Sequence, residues 1–495
     1  MSLSICIIGG GAGGLAALKV LKESEEYERG LWDITVYEAR DDIGGIWLPA
    51  EPIDSTTTPL TPLYDSLTTN LPHPLMAFQS HHFPPETPLF PRASVVLEYL
   101  KSYASTFDLY PHIRVKTAVD DVRWMKDTSN FEVKLSDGLT KSFDKVIVAN
   151  GHYSLPYFPP TPGLDKWLSA GKAMHSAWYR RASDHGRTVL VAGGGPSGRD
   201  ITLEMKNRCT TLVHSVPGSP SKDLDSVVKL RPAVTAFSDD GTVTFEDGST
   251  YRNVDFAILG TGYQFSFPFL SPLLDDSLPP APSEEKRLPD HLHNTRYSIY
   301  PLHHHIFPLL SSHLTDTHDA PFPFGSLAFV GLSVRVIILP IEECQARFIS
   351  RVFRDPTSIT PEAAYRDIQD RYEELSKRGI STHQEYMKNW HRNMSGTETE
   401  QFAYRDQLLR FAYPDHIDDF PYKVEPWAPW ANNDKLSLRA KWEHLEKTGQ
   451  DKEWLKGVGY SDDPTPEWVE LMKKLAKSTI GTAPDPEPSL SSETL

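Results

Sequence analysis

Short apolar runs that stop at glycine set the pattern of this chain. Ser4 to Ile8 is long enough for one buried strand. It ends in the stretch Gly9-Gly10-Gly11-Ala12-Gly13-Gly14, after which Leu15 to Glu23 takes up helical spacing. Ile34 to Tyr37 is a second strand and stops at Glu38. Ala93 to Phe107 is an amphipathic helix. Ile113 to Trp124, Asn130 to Leu135 and Asp144 to Ala149 read as strands, with Asp137-Gly138 a tight hairpin between the last two. The plan then recurs. Thr188 to Ala192 runs into Gly193-Gly194-Gly195-Pro196-Ser197-Gly198 and a helix. Thr211 to His214 follows, and then Val243 to Glu246 and Val254 to Leu259 around Asp247-Gly248, ending at Gly260-Thr261-Gly262-Tyr263. A third short run, Leu327 to Val330, precedes a helix through Glu342 to Phe353. Pro361 to Arg378 is an amphipathic helix with Thr360 as its N-cap.

This repeat predicts an α/β protein with two Rossmann-like dinucleotide-binding domains, the second inserted in the first, and a helical C-terminal extension. The expected boundaries are 1–165 for an FAD-binding domain and 166–323 for an NADP-binding domain. A return segment of the first domain at 324–385, a helical extension at 386–482 and a disordered tail at 483–495 complete the division. A length of 495 residues exceeds what one core usually serves, which agrees with this division. The formal net charge of −16 argues against nucleic acid and against an anionic membrane surface. Cys6, Cys209 and Cys344 form no C-x-x-C pair, so neither a zinc site nor a disulfide reductase is suggested. The apolar N-terminal run is broken by glycine and has no basic leader, and no stretch is apolar enough to span a membrane. A cytoplasmic location is expected.

The chemistry sits at the glycines. Gly9, Gly11 and Gly14, and again Gly193, Gly195 and Gly198, fall at G-x-G-x-x-G spacing. The first glycine makes the turn, the second lets a pyrophosphate approach the backbone, and the third lets helix pack on strand. Ala12 and Gly13, like Ser197, then lie at a helix N-terminus that faces the phosphates and contributes up to about 2 kcal/mol. Glu38 ends the second strand, where a carboxylate would accept the hydroxyls of an adenosine ribose. Gly44, Gly45, Ile46 and Trp47 suggest backbone passing close to a flat ligand. The proline-rich stretch Tyr64 to Pro91, with Thr69 and Asn70, reads as a functional loop. Two nucleotide folds in one chain imply two cofactors, FAD on the first and a nicotinamide nucleotide on the second, with hydride passing between them.

These residues carry a resemblance to the flavin-containing monooxygenases, within the class of flavoprotein monooxygenases that also holds the Baeyer–Villiger enzymes. The identifying F-x-G-x-x-x-H-x-x-x-Y motif is matched at Ser169, Gly171, His175 and Tyr179, with serine in place of phenylalanine. Gly44 to Trp47, Asn70, Thr261 to Tyr263 and Glu343 to Arg347, which includes Gln345, match further elements in family order. The resemblance covers roughly residues 1 to 380. It implies an enzyme that uses NADPH, FAD and dioxygen to oxygenate a soft nitrogen or sulfur of a small organic substrate through a flavin hydroperoxide, in specialised metabolism or detoxification. It assigns Asn70 as the catalytic donor. Cofactor contacts are assigned to Gly9, Gly11, Ala12, Gly13, Gly14, Glu38, Gly45, Ile46, Trp47, Thr69, Gly193, Gly195, Ser197, Gly198, His175 and Gln345.

Tyr179 favours N- or S-oxygenation over Baeyer–Villiger oxidation of ketones, for which tryptophan stands at that place; Trp178 is one residue away, so ketone oxidation stays open. A nucleotide sensor that turns nothing over is the reading from outside enzymes. After the second nicotinamide-fold strand the chain gives Val216 where an arginine for the 2′-phosphate is expected. Lys222, Arg199 and protonated His214 are the substitutes, and relaxed use of NADH stays open. His303, His304 and His305 have no spaced carboxylate or cysteine beside them, so no metal is assigned. The expected partners are a small-molecule substrate and dioxygen, without nucleic acid or membrane, and with homo-oligomerisation left open.

Overall fold

The computed structural model describes residues 2–281, 288–315, 320–392, 400–414 and 424–480; the expected tail at 483–495 lies outside them. The chain divides into two compact units. One comprises Met1–Leu48, Thr68–His152 and the described residues from Phe265 onwards; the other comprises Pro49–Leu67 and Tyr153–Gln264.

In chain order, the first unit begins with β1 (Leu3–Ile8), α1 (Ala12–Lys22), β2 (Trp32–Tyr37), α2 (Ala93–Thr106) and β3 (Ile113–Arg114). An antiparallel meander of β4 (Val119–Met125), β5 (Asn130–Leu135) and β6 (Thr140–Phe143) follows, and then β7 (Lys145–Val148). The second unit contributes β8 (Ala173–His175), β9 (Thr188–Ala192), α3 (Pro196–Met205), β10 (Thr211–Ser215), β11 (Lys222–Asp223), β12 (Val228–Arg231) and β13 (Phe256–Leu259). The chain then returns to the first unit with β14 (Leu327–Phe329), α4 (Ile338–Arg354), α5 (Pro361–Lys377), α6 (Glu400–Ala412), α7 (Trp427–Asn433), α8 (Lys435–Thr448) and α9 (Thr465–Lys477).

The first sheet has strand order β14-β7-β1-β2-β3 and is parallel throughout. Ile5, Ile7, Val146 and Ile147 are completely buried, as expected when both faces of a parallel sheet are covered. The second sheet has order β11-β12-β10-β9-β13-β8, with only the edge strand β11 antiparallel. Each unit also carries a three-stranded antiparallel meander, β4-β5-β6 in the first and Val234–Phe237, Val243–Phe245 and Thr250–Tyr251 in the second.

Three expectations change. Residues 144–149 do not pair with β5. The hairpin partner is β6, four residues of which only Phe143 is buried, and β7 crosses to the parallel sheet beside β1. A search for apolar runs passes over T-K-S-F because three of its four side chains face solvent. Secondly, the run from Ile113 to Trp124 is two strands, β3 and β4, in different sheets. Thirdly, the packing units cut the chain at other places than the expected boundaries. Phe265, Phe267 and Leu270 join the core of Val122, Phe131 and Val148, so the segment after residue 264 packs with the first unit. Tyr64 shares a core with Tyr179, Val191 and Ile201, so residues 49–67 pack with the second. The C-terminal helices are no separate body. Trp390, Phe402, Trp442 and Trp468 lie in the same core as Leu15, Ile34 and Phe348.

Candidate functional site

The two glycine turns have one local geometry. Gly9 has φ +109 and Gly193 has φ +130, conformations that disfavour any side chain. A Cβ on Gly14 would stand 1.9 Å from the Gly9 carbonyl oxygen, and one on Gly198 would stand 1.9 Å from that of Gly193. In each turn, therefore, the third glycine is what allows the helix to sit against the turn. The Gly9 amide donates to Tyr37 O and the Gly193 amide to Ser215 O, both at 2.8 Å, tying each turn to the neighbouring strand. α1 and α3 begin at Gly11 and Gly195. Neither has a side-chain cap or an acid in its first turn. Their leading amides are thus left for an anion, as a dinucleotide's pyrophosphate requires.

Around the first turn the chain builds a frame. Glu38 is buried; its Oε2 accepts from the Gly10 amide at 2.6 Å and its Oε1 from the Arg40 amide at 2.7 Å. Gly44 (φ +122) and Gly45 (φ +55) lead into a short 3-10 turn, Gly45–Trp47. The Gly44 amide donates to Gly10 O, and a Cβ on Gly45 would lie 2.9 Å from the Gly11 Cα. Backbone passes close to backbone there. Arg40, which the sequence did not single out, braces this turn by donating to Gly45 O and Leu48 O. Ile46 and Trp47 are half-buried, and Trp47 packs on the core of the unit. Thr69 is buried and pinned, its amide to Pro91 O and its hydroxyl to Leu71 O, whereas the side chain of Asn70 is exposed.

A second neighbour of the first turn was also missed. Glu342, on the first turns of α4, lies against Gly13 and Gly331: a Cβ on Gly13 would stand 3.1 Å from its Oε1, and one on Gly331 2.9 Å. Its Oε2 has no hydrogen-bond partner, and burial pushes its pKa up to about 8. The carboxyl is therefore largely neutral at pH 7, so it does not oppose an anion at the head of α1. An E-E pair at a helix start is the only sequence trace of it.

Two of the assigned cofactor contacts are buried within the protein. Gln345 is fully buried. Its Oε1 accepts from the Gly331 amide and its Nε2 donates to Tyr404 Oη, both at 2.9 Å, and Tyr404 in turn donates to His304 O. His175 is also fully buried. Its Nδ1 caps the Ala177 amide, its Nε2 donates to Gly262 O at 3.0 Å, and burial lowers its pKa to about 4. Both side chains are thus buried and hydrogen-bonded to groups of the protein. The rest of the motif is engaged within the protein as well. Tyr179 donates to Glu204 on α3 and packs edge-on to Tyr64, while Trp178 Nε1 donates to Asp54 O.

Around the second turn the surroundings are sparser. A Cβ on Gly195 would meet nothing within 4 Å. Ser197 is half-buried. Val216 stands where the first turn has Glu38. His214 is buried, its Nε2 donates to Gly193 O at 3.0 Å, and burial lowers its pKa, which disfavours the cation. Arg199, half-buried on α3, and exposed Lys222 form no ion pair among the described residues. The histidine tract acquires a partner from far along the chain: His303 Nδ1 and His304 Nδ1 each lie 3.1 Å from the Asp367 carboxylate on α5, and the ligand atoms of the three have metal-like spacing. The His304 amide also donates to Asp367, so the carboxylate is already engaged by hydrogen bonds.

Among the described residues no helix is long and apolar enough to cross a membrane. A model of the flavin-binding monooxygenase-like family matches residues 2–219 and 217–400. The thiol-specific monooxygenase of Saccharomyces cerevisiae is 34% identical over 353 residues, 68% of this chain and 78% of that protein. The senecionine N-oxygenase of Tyria jacobaeae is 34% identical over 283 residues, 54% of this chain and 60% of that one. The solved structure of S-allyl-L-cysteine S-oxygenase from Allium sativum superposes with a TM-score of 0.69 at 25% identity, covering 97% of this chain and 99% of that one. With a glycine turn leading into an uncapped helix in each unit and the family match running from residue 2 to residue 400, the chain belongs to the flavin-binding monooxygenase-like family and is a flavin-dependent enzyme.

Proposed function

We propose that the protein is an FAD-dependent, NADPH-using monooxygenase that places one oxygen atom of dioxygen on a soft nitrogen or sulfur of a small organic molecule. The observation that carries this reading is the pair of uncapped helix N-termini behind glycine turns, one in each unit, in a chain of this family. FAD is assigned to Gly9–Gly14, Glu38, Gly45–Trp47 and the loop of Thr69 and Asn70. NADPH is assigned to Gly193–Gly198, with Arg199 and Lys222 as the cations available to its 2′-phosphate. Bound flavin supplies the electron transfer and the activation of dioxygen. The chain supplies the rest. Amides at the heads of α1 and α3 hold pyrophosphates, Glu38 accepts from ribose while it fixes Gly10, and Gln345 holds Gly331 in place. Exposed Asn70 donates a hydrogen bond at the reacting centre. Nitrogen and sulfur are favoured over ketones because the relatives named above are a thiol-specific monooxygenase, an N-oxygenase and an S-oxygenase.

The test is coupling. Flavin-loaded protein given NADPH, oxygen and a thioether should form sulfoxide in step with NADPH loss. Asn70→Ala should keep its flavin and its NADPH consumption while product falls about 100-fold and hydrogen peroxide takes its place. Unchanged coupling removes the role of Asn70. A protein that consumes no oxygen with NADPH removes the whole reading.

A further inference from the structure

The first unit holds an open cavity of about 480 Å³ that is lined by none of the glycine-turn residues. Its walls join two distant stretches of sequence. His73, Phe78, Gln79 and Phe83 come from the segment just after Asn70; Arg405, Trp427 and Trp468 come from α6, α7 and α9. The apolar part is well built: the His73 ring meets Trp468 edge-on at 4.3 Å and lies 4.9 Å from Phe83. Such a wall suits the body of a small organic ligand.

The polar part is unusual. Arg405 is 4% exposed, and its Nε has no hydrogen-bond partner. No carboxylate pairs with it among the described residues; its neighbour is the Cys344 thiol, whose sulfur lies 3.8 Å from Gln79 Oε1. Arg347 and Arg371, also packed into this unit, leave their own Nε without a hydrogen bond but each meets a carboxylate. Arg347 meets Glu23 and Tyr413, and Arg371 meets Glu374 and Glu400. A guanidinium taken out of water without an anion is costly, whereas an arginine fork facing a cavity matches a carboxylate with two hydrogen bonds. Glu425 and Asp463 stand exposed on the same cavity and put negative charge at its rim.

We propose that this cavity is the substrate pocket and that Arg405 binds the carboxylate of the molecule to be oxygenated, so that the enzyme prefers a thioether or amine carrying a carboxylate a few bonds from the reacting atom. The aromatic wall covers the carbon chain. The acidic rim suits substrates that also carry an ammonium group. The inference rests on the oxygenase reading for its reaction, but not for its binding step.

Two probes of equal length separate the outcomes: 3-(methylthio)propionate and 3-(methylthio)propanamide. Titration calorimetry on flavin-loaded protein without NADPH should show the acid binding about 10- to 100-fold more tightly than the amide. The same ratio should appear in KM, with kcat alike for both. Arg405→Gln should abolish the preference by weakening the acid alone at unchanged flavin content, and Arg405→Lys should restore part of it. Equal affinity for both probes in the unaltered protein overturns the proposal, and that measurement needs no variant to fold. Sulfoxide from both probes at one KM likewise removes this inference and leaves the oxygenase reading intact. Selective binding of the acid without any oxygenated product does the reverse.

Discussion

The two glycine turns share their backbone and differ in what surrounds it. The first is framed on every side by its own chain: Glu38 on Gly10, Gly45 against Gly11, neutral Glu342 against Gly13, and Gly331 held by Gln345. The second is open at Gly195, has Val216 in place of the acid, and has Arg199 and Lys222, which form no ion pair among the described residues. A framed turn fixes one ligand in one pose and releases it slowly. An open turn with cations in reach suits a ligand that carries an extra phosphate and leaves in each cycle. On the proposed function, the same fold would serve a resident cofactor and an exchanging one, and the difference lies in side chains beyond the glycine spacing.

The strongest way to break this comparison is to block each turn in turn. In Gly14→Ala and in Gly198→Ala the new Cβ falls 1.9 Å from a carbonyl oxygen of the backbone, an overlap that costs on the order of 3 kcal/mol or more. Gly14→Ala should purify without flavin absorbance. Gly198→Ala should keep the flavin but lose its bleaching by NADPH, while dithionite still reduces it. If Gly198→Ala also loses flavin, the two turns do not have separate ligands.

A smaller effect tests the frame. Glu38→Ala leaves two amides without their acceptor and should weaken FAD binding about 10- to 100-fold, as read by flavin titration of apoprotein. Smaller again is the phosphate preference. Arg199→Gln should lower kcat/KM for NADPH about tenfold and leave NADH unchanged. Equal loss for the two nucleotides would show that Arg199 does not read the phosphate.

The least effect, and the sharpest in sign, concerns pH. Burial raises Glu342 from 4.5 to about 8, so its contribution to stability is complete below pH 4.5 and is lost as pH rises towards 8. Glu342→Gln should therefore melt with the unaltered protein near pH 4.5 and several degrees above it at pH 8, by scanning calorimetry. His175 runs the other way. Its pKa is lowered to about 4, so its contribution is present above pH 6.5 and is lost as pH falls towards 4.

Legibility followed local constraint. Gly9, Gly14, Gly193 and Gly198 were readable because each is demanded within a few residues of itself, by a positive φ or by a close approach of strand and helix. Gly45 and Glu38 were readable for the same reason at slightly longer range. The strand β6 was missed because its exposed, polar T-K-S-F carries no apolar signal, and pairing with β5 alone makes it a strand. His175 and Gln345 were read as ligand contacts because their motifs travel with cofactor sites. Both are buried and hydrogen-bonded to the protein's own groups, which spacing does not reveal.

By itself, then, the sequence determined the doubled α/β plan, the two turns and the order of elements between them, since these depend on φ preferences, on apolar period and on residues near one another in the chain. Only the tertiary structure decided the rest. It moved residues 265 onwards into the first unit, brought Asp367 to His303 and His304, set Glu342 behind Gly13, and left Arg405 on an aromatic cavity with no carboxylate paired to it among the described residues. Each of those facts depends on groups that lie far apart along the chain. Burial and the absence of a partner arise only when such groups meet, and no local pattern encodes them.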